Sequence, residues 1–185
     1  MVFASYVPLF HQVTTSTNSS NCWYQDWQNA IFYERFLELQ ADPCSRATAN
    51  FTRLLVGEAD AWMTRIPTML VEGEDRSATA TPGYISGGRA RALVQFGEEI
   101  LPYIEQDYIL VLDPDMFMLK DFPSDATPTR PVLAHYHYMA HWQHDDQMLS
   151  RYRRHMKDKN YLPRFHTGPA PSLIHRDQFM GLMKE

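Results

Sequence analysis

The feature that most constrains this chain is Tyr108-Ile109-Leu110-Val111-Leu112, an apolar run without alternation that stops at Asp113-Pro114-Asp115. A strand with one wet face alternates in polarity. A strand-length run that does not alternate is covered on both faces, as in a parallel sheet sandwiched by helices. The segment before it supplies such a cover. Leu93, Phe96, Gly97, Ile100, Leu101 and Ile104 recur at i, i+3, i+4, i+7, i+8 and i+11, with Glu98 and Glu99 on the opposite side. That spacing predicts a helix after Gly87-Gly88, kinked or ended by Pro102.

The rest of the chain extends the alternation of strands and helices. Tyr6 to Thr15 reads as a strand running into a loop through the polar run Thr14 to Asn21, and a helix on Trp27, Ile31, Phe36 and Leu37 runs from Tyr24 and ends before Asp42-Pro43. Phe51 to Val56, closed by Gly57, and Ile66 to Val71 have strand length. Glu74 to Thr81 reads as a surface loop, Pro131 to Tyr138 as a strand and Asp145 to Lys157 as a helix with acid at its start and base at its end. Strands alternating with helices predict an α/β sandwich with a mostly parallel central sheet.

Size and charge bound the rest. A chain of 185 residues supports one ordinary core, since ~150 residues already bury roughly 70% of their unfolded surface. We expect one domain over 1–185, its nucleotide-binding half at 1–115 and the start of an acceptor half at 116–185. A formal net charge of -5 argues against nucleic acid, which demands a basic face. No stretch approaches the ~18 to 20 apolar residues of a membrane span, and residues 1–10 lack the basic start and cleavage site of a signal peptide. Cys22 and Cys44 are too few for a disulfide scaffold or a zinc site, and the intervening helix argues against their pairing.

With 13 Asp in 185 residues, chance alone supplies about one D-x-D, so the weight of Asp113-Pro114-Asp115 lies in its position. Ligands of open α/β sheets bind outside the carboxyl ends of the strands. Pro114 fixes its own φ and pushes Asp113 toward extended geometry, which lets two carboxylates approach one point. Such a pair suits Mn²⁺ or Mg²⁺, which take one or two protein carboxylates and complete their shell with water and phosphate. His135, His137, His141 and His144, followed by Asp145, found a rival reading, a metal-dependent hydrolase with His135 and His137 on one strand face. The bland reading is a row of histidines flanking a polar cleft.

The blocks Tyr24-Gln25-Asp26-Trp27-Gln28, Asn50-Phe51-Thr52-Arg53-Leu54-Leu55, Ile66-Pro67-Thr68, and Asp107-Tyr108-Ile109-Leu110 running into Asp113-Pro114-Asp115 resemble, in order and spacing over roughly 5–180, those of hydroxyproline O-arabinosyltransferases and peptidyl serine galactosyltransferases. The resemblance implies a glycosyltransferase A-like, Rossmann-like fold, a UDP-sugar donor, Mn²⁺ or Mg²⁺, and transfer to a hydroxyproline or serine hydroxyl of a protein, in the ER or Golgi lumen. The sequons at Asn18 and Asn50 agree with that compartment.

It further implies that Asp113 and Asp115 hold metal and diphosphate, and that Thr14, Thr15 and Ser16 face the nucleotide. Arg53 either holds a phosphate or braces the site. Trp27 and Gln28 are packing residues, and Gly168-Pro169-Ala170-Pro171-Ser172 forms a small-residue loop on the acceptor side of the metal, with Gly168, Pro169 and Ser172 its named members. Two departures stand out. Gly87-Gly88-Arg89 replaces an Asn-Lys-Pro or Asn-Arg-Pro type segment, and the family's pattern continues past the end of this chain. An inactive fragment of the same fold is therefore the third reading.

Overall fold

The computed structural model describes residues 10–18, 23–42, 45, 48–71, 88–119, 126–135 and 167–182. Six strands, β1 (Phe10–Asn18), β2 (Thr48–Gly57), β3 (Thr68–Val71), β4 (Tyr108–Leu112), β5 (Val132–His135) and β6 (Thr167–His175), form one sheet in the order β3-β2-β1-β4-β6-β5. Helix α1 (Trp23–Ala41) joins β1 to β2, α2 (Gly88–Glu99) precedes β4, and α3 (Arg176–Leu182) succeeds β6. The pairs β1–β2, β2–β3 and β1–β4 are parallel, whereas β6 runs antiparallel to both β4 and β5. The sheet is therefore mixed. The all-apolar run of β4 reported burial on both faces, which all five residues have, but burial says nothing of a neighbour's direction.

Side-chain alternation divides the core between the two faces. Val13, Leu54, Val56, Ile109 and Val111 pack with Ala92 and Phe96 of α2, with Leu101 and Ile104 after it, and with Phe179 of α3. Phe10, Phe51, Leu110 and Leu112 pack with Phe32 and Phe36 of α1. The α2 prediction holds, with Pro102 inside a 3-10 turn at Leu101–Tyr103 that ends the helix. The α1 prediction holds in extent, and in facing for Phe36 but not for the other three residues named. Gln28, Asn29, Phe32, Phe36 and Leu39 are buried, while Trp27, Ile31 and Leu37 are exposed.

Two segments expected as loops are strands. Thr14–Asn18 continues β1, paired with β2 up to Asn18 and with β4 up to Thr14. Past Thr14 the pairing with β2 alone continues to Asn18, and those ladder bonds override the turn preference of a Thr/Ser/Asn run. Gly168-Pro169-Ala170-Pro171-Ser172 likewise lies within β6, and Ser172 pairs with Val111 and Leu133. Of the predicted strand at Pro131 to Tyr138, 132–135 is β5, and the remainder past 135 lies outside the described residues. So do the loop at 74–81, the helix at 145–157 and both cysteines. No helix among the described residues is long and apolar enough to cross a membrane.

Candidate functional site

The strand order makes the crevice. From β1 the chain builds outward to β2 and β3, then returns to lay β4 on the other side of β1. Connections on the two sides diverge at this reversal, and the gap lies outside the carboxyl ends of β1 and β4. Asp113 is the first residue past β4. Its carbonyl accepts from Met116 N at 3.0 Å, closing a β-turn over Asp113-Pro114-Asp115-Met116 with proline at the second position, where its fixed φ fits. A tight turn thus carries two carboxylates two residues apart.

These carboxylates have different neighbours. Asp113 is partly buried and ion-paired to Arg89 Nη1 at the start of α2. Burial raises its carboxyl above the usual range; the Arg89 charge opposes that shift, and the nearby Asp115 charge adds to it. Asp115 is exposed. It lines a cleft of about 120 Å³ with Trp27, Gln28, Ile31 and Phe32 of α1 and with Phe117. The turn therefore spans the rim from α2 to α1. Arg35 of α1 secures the segment just past the turn, its Nε and Nη2 donating at 2.7 Å to the carbonyls of Met118 and Leu119.

On β1, Thr14 stands level with Leu112 on one side and Arg53 on the other. Thr14 and Ser16 share the α1 face, whereas Thr15 projects to the α2 face and is half-buried. The hydroxyls of Thr14 and Ser16, and Asn29 Oδ1 on α1, are buried with no hydrogen-bond partner among the described residues. A buried polar atom without a partner costs roughly 1–3 kcal/mol, so the two hydroxyls at the end of β1 mark a place that a polar ligand or water would satisfy. Gly88 keeps the opposite wall close, since a Cβ there would meet Val56 Cγ1 at 3.0 Å.

Residues 10–185 match the model of the hydroxyproline O-arabinosyltransferase family N-terminal domain. The chain belongs to this family. It is 34% identical over 128 residues to hydroxyproline O-arabinosyltransferase RDN1 of Medicago truncatula, covering 66% of this chain and 32% of that protein. It is 33% identical over 135 residues to RDN2 of the same organism, covering 70% and 34%. Hydroxyproline O-arabinosyltransferase 2 of Arabidopsis thaliana is 32% identical over 123 residues, covering 64% and 31%. The chain thus spans about a third of the length of the curated relatives it matches.

Within this arabinosyltransferase-family chain, Asp113, Asp115, Thr14 and Ser16 gather at one end of the sheet. Arg53 has another occupation. Fully buried, it donates through Nη1 and Nη2 to both oxygens of Asp60 at 2.9 and 2.7 Å and through Nε to Thr68 Oγ1 at 3.1 Å. These bonds tie β2 to Thr68 of β3, and a phosphate at the Nη atoms would have to displace Asp60. The Asp26 carboxyl at the start of α1 is raised by burial and by the Asp60 charge, with the Arg53 charge opposing.

Gly168 and Pro169 lie in the part of β6 that reaches past Leu112 toward the Asp113 end, whereas Ser172 sits deeper, buried beside Val111. They belong to a strand rather than the expected loop. Trp27, expected in the core, is exposed at the cleft beside Asp115. Of the histidine cluster only His135 is described, as backbone in β5; His137, His141, His144 and Asp145 lie outside the described residues. Sequence reasoning missed Arg89 and Arg35 as site residues. An arginine near a helix start carries no motif, and only the fold brings it to a carboxylate 24 positions away.

No group of three metal-ligating side chains occurs among the described residues. Mn²⁺ and Mg²⁺ do not need one, because water and phosphate oxygens complete a site built on one or two carboxylates. Two hard oxygen donors on one turn, close enough for their charges to interact, fit that requirement.

Proposed function

We propose that this chain forms the nucleotide-sugar-binding part of a glycosyltransferase A-like enzyme that transfers a sugar, an arabinosyl unit by family, from a UDP-sugar to a hydroxyproline hydroxyl of a protein in the secretory pathway. The observation that carries the reading is the Asp113-Pro114-Asp115 turn at the carboxyl end of β4, at the reversal of strand order beside β1. The names of its relatives support the sugar and the acceptor. Asp113 and Asp115 would hold the divalent cation, which when bound neutralises charge on the departing diphosphate. The chain's own part is placement. Thr14 and Ser16 offer hydroxyls to the nucleotide at the strand end, and the α1 cleft beside Asp115 adjoins the same turn. Holding donor and acceptor in one geometry removes much of the entropic barrier to transfer.

Calorimetric titration of the chain with UDP, with and without Mn²⁺, tests the reading. UDP should bind at least ~10-fold more tightly with Mn²⁺, as expected when metal and carboxylates share the diphosphate charge. Asp115→Ala should remove that gain. UDP binding that is indifferent both to the metal and to Asp115→Ala refutes the proposal.

A further inference from the structure

Arg89 opens α2 with its side chain 17% exposed and one nitrogen, Nη1, on Asp113 Oδ1. Its remaining guanidinium nitrogens, Nε and Nη2, are buried and have no hydrogen-bond partner among the described residues. The geometry of the group gives this meaning. A guanidinium is a rigid plane, and Nε with Nη2 form one complete edge of it, the two-donor fork that matches two oxygens of a phosphate or carboxylate. Asp113 occupies one end of the plane and leaves that fork entire.

Buried donors without acceptors are costly and rare, and two on one edge of one cation call for a bidentate oxyanion. The sign of the surroundings agrees. The partial positive charge of the α2 N-terminus adds to that of Arg89. Gly88, through its close approach to Val56 at the end of β2, seats that terminus at the crevice. Arg53 is the contrasting case, with Nε, Nη1 and Nη2 all engaged by Asp60 and Thr68.

We infer that Arg89 is a phosphate-binding residue whose Nε and Nη2 take two oxygens of a nucleoside diphosphate, while Asp113 holds the other end of the guanidinium in place. The inference rests on the nucleotide-sugar reading above and names a donor contact within it. Asp113 then has two duties: one oxygen anchors Arg89, and the other remains for the cation that it holds together with Asp115.

The test compares UDP with uridine in calorimetric titrations of the full chain with Mn²⁺ present, for wild type, Arg89→Gln and Arg89→Lys. Arg89→Gln should weaken UDP by ~10- to ~100-fold, the range for a lost charge-assisted pair, and leave uridine within about twofold. Arg89→Lys keeps the charge without the fork and should recover only part of the loss. UDP affinity within about twofold of wild type in both variants overturns the inference. So does an equal loss of UDP and uridine, the signature of a merely structural ion pair. The two proposals fail differently. A wild type indifferent to Mn²⁺, in which Arg89→Gln still weakens UDP alone, removes the metal reading and keeps Arg89 as a phosphate ligand. Mn²⁺-dependent binding unaffected by Arg89→Gln does the reverse, and a wild type that binds no UDP overturns both.

Discussion

Asp60→Ala tests whether Arg53 is a brace. In the folded chain Arg53 is 0% exposed and Asp60 10% exposed, so water screens the pair little. Removing Asp60 strips both Nη partners from a buried guanidinium and leaves only the Nε bond to Thr68 Oγ1. It also removes the acceptor of Trp62 N at 3.0 Å, the cap of the 3-10 turn at Ala61–Thr64. Breaking a buried pair from one side costs about 3–5 kcal/mol. For a chain of this size that corresponds to a fall in Tm of roughly 6–20 °C. Removing both charges is different, because no uncompensated cation remains. Arg53→Met with Asp60→Ala should therefore be less damaging than the sum of the single changes, by about 0.5–3 kcal/mol.

Urea unfolding monitored by tryptophan fluorescence measures this, with Trp62 two residues from the altered position. The midpoint should fall at nearly constant slope. Raising the salt from about 0.05 to about 0.5 M should change the Asp60→Ala loss little, since screening acts mainly on exposed pairs. A loss below about 1 kcal/mol, or a double variant worse than the sum of the singles, would show that Arg53 is not held by Asp60. Arg53 would then return as a candidate for binding phosphate.

Groups near the site and at the far end of β1 give two further expected outcomes. His11, whose Nε2 lies 2.9 Å from Thr52 Oγ1, is pushed down to about 4 by burial, with a hydrogen bond to Gln106 opposing. Above its unfolded value of about 6.5 both states are neutral. Between about pH 6.5 and 4 only the unfolded state takes the proton, so some 3 kcal/mol of stability is lost as pH falls, and none further from this group below that window. The raised carboxyls of Asp26 and Asp113 act in the opposite sense, so the wild-type minus His11→Gln difference is the quantity to plot; a flat difference refutes the assignment. Arg35→Ala should free the Met118 and Leu119 carbonyls at a cost of about 2 kcal/mol, seen as faster protease cleavage after Met116. Arg35→Lys, lacking the two-pronged donor, should recover only part.

How much of the fold and the site is legible in sequence depends on what each residue has to report. Leu93 through Ile104 repeat at helical spacing because their burial is one-sided, and Tyr108 through Leu112 fail to alternate because theirs is not. Both patterns are local and survive in sequence. Helix α1 misleads because its buried stripe includes Gln28 and Asn29 while Trp27, Ile31 and Leu37 face outward. Trp27 and Ile31 line the cleft beside Asp115, so part of the apolar surface of α1 belongs to the rim of that cleft rather than to the core. Arg89 and Asp60 are silent because their partners are chosen by tertiary contact.

The two strand segments that look like loops in sequence obey one rule. Thr14–Asn18 and Gly168–Ser172 belong to β1 and β6, the two strands that flank β4, and they extend those strands on either side of the turn at Asp113. A strand end that borders a crevice is extended because a neighbouring backbone pairs with it and polar or small because of what must approach it. Those two demands set local propensity against the fold at one place. Disagreement of this kind is expected where a site is built, and here it occurs on both sides of the same pair of carboxylates. Two of the polar residues that end the predicted β1 too early, Thr14 and Ser16, are thus the ones whose buried hydroxyls have no partner among the described residues.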